Sequence, residues 1–174
     1  MKKILAFLSL GLYLVAGDLE SGVEAYKSQN FSLAKSKFEL ACQSGEKMGC
    51  ENLAVMYVLG KGMSKDSASA IKFYEKGCEL GSGGSCGAAG GMYKVGDGAQ
   101  RDDAKALALL LRGCDLGNPN ACNEAGGMYL EKQNRNDQKI ALELFKKACR
   151  GGDEINLLGC QWEKDLTRTP YFRN

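Results

Sequence analysis

The sequence has no histidine among its 174 residues, and this absence removes several kinds of site at once. Ser/His and Cys/His catalysis need an imidazole base, and the usual metallohydrolases hold their metal with histidine. Zinc sites made of cysteine need close spacings such as C-x2-C, and no two cysteines in the chain are that close. We therefore expect no metal and no cofactor.

The sequence also lacks an apolar run long enough to span a bilayer, which takes about 20 residues. The almost unbroken apolar run from Ile4 to Ala16 has 13 residues and follows two lysines. A basic start, a short apolar run and small residues at its end predict a signal peptide over residues 1–17, cleaved before Asp18. The alternative is a retained N-terminal anchor. We expect a secreted or periplasmic protein with no membrane span after signal cleavage.

A strong charge of either sign is absent as well. The chain has 23 basic and 21 acidic residues, and removal of residues 1–17 takes away two lysines and leaves the two signs equal. The charges are interspersed along the chain, so no cluster would attract nucleic acid or an anionic membrane. We expect no nucleic acid among the partners.

Cysteine is present in a regular order. There are eight cysteines, and in an exported protein an even, regularly spaced set predicts a disulfide framework. Because each repeating segment must form its bonds in the same way, we pair nearest neighbours. The predicted pairs are Cys42 with Cys50, Cys78 with Cys86, Cys114 with Cys122, and Cys149 with Cys160.

The same pattern recurs after 36 residues. The cysteines, glycines and apolar positions between Cys42 and Cys86 return 36 positions later, up to Cys122. A fixed period of this length indicates a repeat protein. The predicted organisation is a signal peptide at 1–17, an N-terminal helix pair at 18–45, repeats at 46–81, 82–117 and 118–152, and a C-terminal capping helix and tail at 153–174.

Each repeat is predicted to contain two helices. In the first repeat, Glu46 to Leu59 carries apolar residues at helical spacing, and the Gly60-Lys61-Gly62 turn follows. Asp66 is predicted to cap a second helix that runs to Glu79. The second repeat has the same plan, with Asp102 as its cap.

The two ends of the chain are less regular. Before the first repeat, helices are predicted over Asp18 to Gln29 and Phe31 to Gln43 from their apolar spacing. The third repeat has lost one residue between Glu131 and Asn136, together with the two turn glycines. A last helix is predicted over Asp153 to Lys164, with an irregular tail from Asp165.

Two sets of residues at fixed repeat positions have two interpretations each. The first set is two glycine pairs inside predicted helices, where each glycine costs about 1 kcal/mol relative to alanine. We favour close packing of a neighbouring helix there over space for a ligand. The second set is three tyrosines, for which we favour packing between helices over lining of a groove. The residues are Gly90-Gly91 and Gly126-Gly127, and Tyr57, Tyr93 and Tyr129.

The motif CxxLAVMYxxGKG at 50–62, followed by Lys65-Asp66 and Lys76-Gly77-Cys78, resembles Sel1-like repeats, which are similar to tetratricopeptide repeats. With C-x7-C in every full repeat, the chain resembles the Helicobacter cysteine-rich proteins over nearly its whole mature length. The resemblance implies an all-α fold, a right-handed α/α solenoid of helix pairs with a concave face, here linked by disulfides. The third turn and the Cys149 to Cys160 spacing depart from the pattern.

The resemblance also implies a function. It suggests an exported protein that binds β-lactams such as penicillin, or cell-wall peptides, and slowly hydrolyses β-lactams. The alternative is a non-catalytic solenoid that binds a peptide or protein partner in its concave groove, with a host protein among the candidates.

The residues themselves give little support to catalysis. Serine β-lactamases use S-x-x-K together with S-x-N and K-T-G. S-x-x-K occurs three times and S-x-N once, but K-T-G is absent, and the matches are more typical of exposed helix faces. No catalytic residue is assigned, and the sequence leaves open whether the protein is an enzyme. The matches are Ser32-Lys35, Ser44-Lys47, Ser69-Lys72 and Ser28-Gln29-Asn30.

Overall fold

The computed structural model describes residues 17–132, 134–150 and 157–168, and every regular element in these ranges is an α-helix. The described part of α1 covers residues 17–27. It is followed by α2 (Phe31–Gln43), α3 (Lys47–Leu59), α4 (Ser67–Glu79), α5 (Gly83–Val95), α6 (Asp103–Asp115), α7 (Pro119–Leu130), α8 (Arg135–Arg150) and α9 (Leu157–Arg168).

The helices divide between two compact units, residues 1–82 and residues 83–174. In the first unit, α3 packs against both α2 and α4. In the second unit, each helix from α5 to α8 packs against the next one along the chain. Helices that follow one another are therefore neighbours, as in helix pairs of the tetratricopeptide kind, and the predicted all-α fold of such pairs is confirmed.

The second helices of the first two repeats begin at the aspartates that the sequence indicated. Asp66 accepts a hydrogen bond from the backbone N–H of Ser69 at 3.0 Å, and Asp102 accepts one from that of Lys105 at 2.9 Å. Each bond satisfies a backbone donor that has no partner inside its helix. Both predicted caps are confirmed.

The third repeat begins its second helix differently. Asp137 occupies the position equivalent to the earlier caps, yet it lies in the first turn of α8. Its backbone N–H donates to the side chain of Asn134 at 3.0 Å, so Asn134 is the cap. The residue lost from this loop explains the change, because a shorter connection brings the helix start forward.

Glycines form the turn between the helices of the first two repeats. Gly60 and Gly62 have φ of 66° and 73°, and Gly96 and Gly98 have φ of 76° and 79°. Side chains are strained in this left-handed region, whereas glycine adopts it without a steric cost. Gly62 has a second reason to be glycine, since an added Cβ would lie 2.5 Å from Cβ of Phe31.

Each unit has its own apolar core. In the first unit, Phe38 of α2 is 2% exposed and packs with Leu53 and Met56 of α3. In the second unit, Leu110 of α6 and Met128 of α7 are central to the larger cluster. These are the apolar stripes that the helical spacing predicted.

Disulfides link the end of one helix to the start of the next. Cys42 is bonded to Cys50 and Cys114 to Cys122, each with Cα atoms 4.5 Å apart. Cys149 is bonded to Cys160 with a Cα separation of 4.7 Å. Both remaining cysteines are disulfide-bonded too, and the chain has no free thiol. The pairing of Cys78 with Cys86 stays a prediction.

The chain ends differ in part from expectation. α9 continues to Arg168, so residues 165–168 are helical rather than irregular. The predicted signal peptide lies outside the described residues except for Gly17, which belongs to α1. Among the described residues, no helix has both the length and the apolar character needed to cross a membrane.

Candidate ligand-binding sites

The three S-x-x-K matches do not form a catalytic pair in the described part of the chain. The hydroxyl of Ser44 donates to the carbonyl of Ala41 at 2.8 Å, and that of Ser69 donates to Oδ2 of Asp66 at 2.5 Å. Ser32 is exposed on α2, and the ammonium of Lys35 is 3.5 Å from Glu39. A serine nucleophile needs its base within hydrogen-bond reach, and no bond joins serine to lysine in these matches.

The S-x-N match belongs to a helix end and a helix start. The hydroxyl of Ser28 donates to the carbonyl of Glu24 at 3.0 Å. Asn30 caps α2 by accepting a hydrogen bond of 3.3 Å from the backbone N–H of Leu33. Gln29 between them has φ of 62°, which reverses the chain. These contacts account for all three residues structurally.

The side chains of Asp66, Tyr74, Arg101 and Asp103 have a clearly shifted pKa, and each shift has a local cause. A hydrogen bond from the hydroxyl of Ser69 is the main reason that the pKa of Asp66 is lowered. Burial raises the pKa of Tyr74. The hydrogen bond between Arg101 and Asp103 lowers the pKa of the carboxyl and raises that of the guanidinium. The contact between Asp66 and Ser69 belongs to the cap of α4, and Arg101 and Asp103 form an ion pair with each other.

Among the described residues, no group of three or more Cys, Asp or Glu side chains is arranged to hold a metal ion. The sequence adds no histidine to such a set. The structure therefore gives no donor set on which a metal site could be argued.

The first unit contains an apolar cavity of about 280 Å³. Its walls come from α1 and α3, and Phe38 of α2 forms part of its lining. A Cβ added to Gly22 would lie 2.6 Å from Cε1 of Phe38, so glycine allows α1 to lie close to the ring. The lining residues are Val23, Tyr26, Lys27, Phe38, Asn52 and Val55.

The second unit has a groove of about 210 Å³ between α5 and α7. Its α5 wall is made of small residues, and its polar groups are two asparagines and one carboxylate. Glu124 contributes the carboxylate and pairs with Lys94 at 3.7 Å. The lining residues are Gly84, Gly87, Ala88, Gly91, Asn118, Asn120, Ala121 and Glu124.

Equivalent repeat positions line both sites. Asn52 in the first unit corresponds to Ala88 and Glu124 in the second, and Val55 corresponds to Gly91, at offsets of 36 residues. These positions could not be predicted from the motif of the repeat, because that motif consists of the residues that stay constant between repeats. They could be recognised by their variation instead, because their side chains differ in chemistry from repeat to repeat, whereas the core positions stay apolar.

The glycine pairs divide between the two interpretations. An added Cβ on Gly90 would lie 2.8 Å from Cγ of Leu110, so this glycine is needed for helix packing. For Gly91, the nearest atom would be a carboxylate oxygen of Glu124 at 3.8 Å, which is ordinary contact. Gly91 instead lines the α5–α7 groove.

The three equivalent tyrosines are half-buried rather than fully packed, and each has a lysine ammonium near its ring. The ammonium of Lys105 is 4.2 Å from the ring centroid of Tyr93, and that of Lys132 is 4.7 Å from Tyr129. Tyr57 also stacks on Phe73, with centroids 5.6 Å apart. Packing within the repeat accounts for Tyr57, while Tyr93 also borders an open polar hollow beside α6.

The family model described as "Sel1 repeat" matches residues 47–82, 86–118 and 119–153, more than half of the chain. The chain belongs to the Sel1 repeat family. This confirms the resemblance drawn from the repeated motif, while the predicted boundaries of the individual repeats stay a prediction. Sel1 repeats are helix pairs that stack along a solenoid, so each repeat contacts mainly its neighbours.

One curated relative is the beta-lactamase HcpA of Helicobacter pylori. The two sequences are 46% identical over 52 residues, which is 30% of this chain and 21% of HcpA. The chain thus matches about a fifth of that relative's own length. The similarity supports kinship with the Helicobacter cysteine-rich proteins. The beta-lactamase activity in the name of HcpA is that of HcpA.

Two solved structures share the fold. A Sel1 repeat protein from Oxalobacter formigenes has a TM-score of 0.71 and 20% identity, covering 79% of this chain and 57% of that one. A protective antigen of uropathogenic Escherichia coli strains, with an SLR fold, has a TM-score of 0.73 and 17% identity, covering 88% and 37%. At these identities the likeness is one of fold alone.

Proposed function

We propose that the protein is an extracytoplasmic binding module that presents the first helices of its repeats to a peptide or protein segment. The observation that carries the proposal is the use of the same repeat positions, such as Asn52 and Glu124, to line a cavity in each unit. Solenoid repeats commonly keep their core constant and vary the exposed positions that face a partner. In this chain the core positions stay apolar in each repeat, while the lining position changes from Asn52 to Glu124.

The compartment follows from the cysteines. All eight are disulfide-bonded, and disulfides persist in oxidising environments outside the cytoplasm. Together with the kinship to HcpA, this supports an extracytoplasmic location. We further propose that the protein is secreted or resides in the periplasm after removal of the predicted signal peptide.

A second candidate function is binding and slow hydrolysis of β-lactams, which rests on the name of HcpA and its 46% identity over 52 residues. The S-x-x-K matches offer no serine–lysine pair for it, because Ser44 and Ser69 are hydrogen-bonded to other groups. We therefore place binding before hydrolysis. Cell-wall peptides are the ligand class that both functions share.

The deciding experiment has two arms on the oxidised protein. In the first, hydrolysis of a chromogenic cephalosporin is measured together with the intact mass of the protein, and we expect no turnover and no covalent adduct. In the second, the protein is screened against an array of immobilised extended peptides, with Val55→Arg to block the first cavity. Leu59→Arg is the matched control, because Leu59 lies on the same helix, is 53% exposed and does not line the cavity.

The outcomes separate the two functions. Peptide binding that weakens in Val55→Arg and persists in Leu59→Arg supports the binding module. Turnover that co-purifies with the protein, or an acyl adduct on a serine, would replace it with the second candidate. Absence of any peptide binding would reject the binding module.

A further inference from the structure

We propose that the cavity of the first unit binds an apolar side chain together with the carboxylate next to it. This inference rests on the proposed binding function and names the chemistry of one of its sites. An apolar side chain beside a carboxylate occurs at the C-terminus of a peptide, and also in small carboxylates such as the penicillins. The two kinds of ligand would make the same contacts in the cavity, and the experiment distinguishes between them.

The apolar part of the site is preformed. Phe38 is 2% exposed and belongs to the main apolar cluster of the unit, against which Val23 also packs. The ring is held from the α1 side by Gly22, since the space for a Cβ there is already filled by Phe38. Val55 completes the apolar lining from α3. A ligand therefore meets an apolar surface that is already packed in the folded unit.

The size of the cavity selects a single side chain. Pockets that enclose a drug-sized molecule measure roughly 300–1,000 Å³, and this cavity measures about 280 Å³. It can therefore take one ring or branched aliphatic group while the rest of the ligand lies along the surface. Burial of such a group is favourable by about 25 cal/mol for each Å² of apolar surface removed from water.

The polar groups lie together with the apolar surface and are available to a ligand. Among the described residues, no hydrogen bond is made by the hydroxyl of Tyr26 or by the side-chain amide of Asn52, and both line the cavity. Lys27 is 3.6 Å from Glu24, and the two side chains are 67% and 78% exposed. Exposed pairs of this kind contribute little, so a ligand carboxylate can take the place of Glu24.

The sign of the charge favours an anion. Among the described residues that line this cavity, Lys27 is the one that carries a charge, and none is an Asp or Glu. The groove of the second unit has the reverse character, because Glu124 lines it. A carboxylate is therefore expected to bind in the first unit rather than in the groove of the second, where the lining carboxylate Glu124 is already paired with Lys94.

The test is a titration of the isotope-labelled, oxidised full chain followed by amide chemical shifts. The probes are N-acetyl-phenylalanine and N-acetyl-phenylalanine amide, which differ only in the carboxylate. We expect the acid to shift amides of α1 and α3, and to bind at least about tenfold more tightly than the amide, since hydrogen bonds to charged groups are the stronger ones. Lys27→Gln should remove most of that difference.

Lys65→Gln is the matched control, because Lys65 is exposed in the same unit and lies outside the cavity lining. The acid should bind it as it binds the wild type. Val55→Trp provides a second test, since its uncharged ring fills the cavity from α3 and should abolish the shifts for both probes. Equal affinity of acid and amide, or full preference for the acid in Lys27→Gln, would overturn the inference.

Three further probes identify the source of the carboxylate. A peptide that ends in phenylalanine is compared with the same peptide amidated, and with benzylpenicillin. Preference for the free peptide assigns the site to peptide C-termini, and preference for benzylpenicillin assigns it to small carboxylates. Peptide binding that shifts only α5 and α7 would reject this inference and leave the binding function in place, whereas no peptide binding anywhere would reject both.

Discussion

The ring of Phe145 occupies the space into which a side chain on Gly126 would project. An added Cβ on Gly126 would lie 2.8 Å from Cε1 of Phe145, closer than such atoms approach in folded proteins. The next residue is different, because nothing lies within 4 Å of a Cβ built on Gly127. Two adjacent glycines of one helix thus have opposite structural requirements.

This contrast predicts opposite effects of the same substitution. Gly126→Ala should lower the free energy of unfolding by about 1–3 kcal/mol, the usual cost of overpacking a core. Gly127→Ala should raise it by about 0.5–1 kcal/mol, because alanine loses less conformational freedom than glycine in a helix. Urea unfolding followed by circular dichroism measures both. Equal destabilisation by the two substitutions would show that the open space at Gly127 is filled in solution.

Trp162 covers the same phenyl ring from α9. Its indole stacks on Phe145 with ring centroids 5.7 Å apart and planes 16° apart, while 41% of the tryptophan stays exposed. Trp162→Ala should therefore lower the free energy of unfolding by at least about 0.5–1.5 kcal/mol, the contribution of an aromatic pair. Trp162→Phe should recover most of it. The contact is contradicted if alanine and phenylalanine at this position give the same stability.

The lowered pKa of Asp66 predicts a dependence of stability on pH. Because the pKa in the folded protein is below the ordinary value of 3.8, the charged carboxylate stabilises the fold. This contribution is fully present above about pH 3.8 and is lost as the pH falls through the lowered pKa. Asp66→Asn keeps an oxygen that can cap α4 and removes the charge. Wild type should melt above Asp66→Asn at pH 6, and the difference should shrink as the pH falls below about 3.8, whereas a constant difference would speak against the carboxylate.

Much of the fold could be predicted from the sequence because its determinants are local and occur more than once. The caps at Asp66 and Asp102 stand at the same position of their repeats, and each bonds to a backbone N–H three residues later. The limits of α2, Phe31–Gln43, also agree with the predicted helix. The cap of α8 could not be predicted in the same way. The loop before α8 is one residue shorter, and Asn134 caps the helix instead of the equivalent aspartate.

The sites depend on contacts between helices, and these are less visible in the sequence. Successive residues of a helix point about 100° apart, so only one glycine of each pair can face the neighbouring helix, and the sequence does not say which. The cavity of the first unit likewise brings Lys27 of α1 together with Asn52 of α3. Neither residue belongs to a motif, and their proximity follows only from the packing of α1, α2 and α3.

The stability lost on removing a disulfide is expected to depend more on how deeply the disulfide is buried than on the length of the loop that it closes. Cys114 and Cys122 are at most 1% exposed and pack with Ala148, whereas Cys149 and Cys160 are half-buried. Their sequence separations of 8 and 11 residues differ little in loop entropy. Replacing the first pair by alanines should cost about 2–5 kcal/mol, and replacing the second pair should cost less, because fewer buried contacts are lost. Urea unfolding of the two double variants under the same oxidising conditions measures the order, and a larger loss at Cys149 and Cys160 would contradict it.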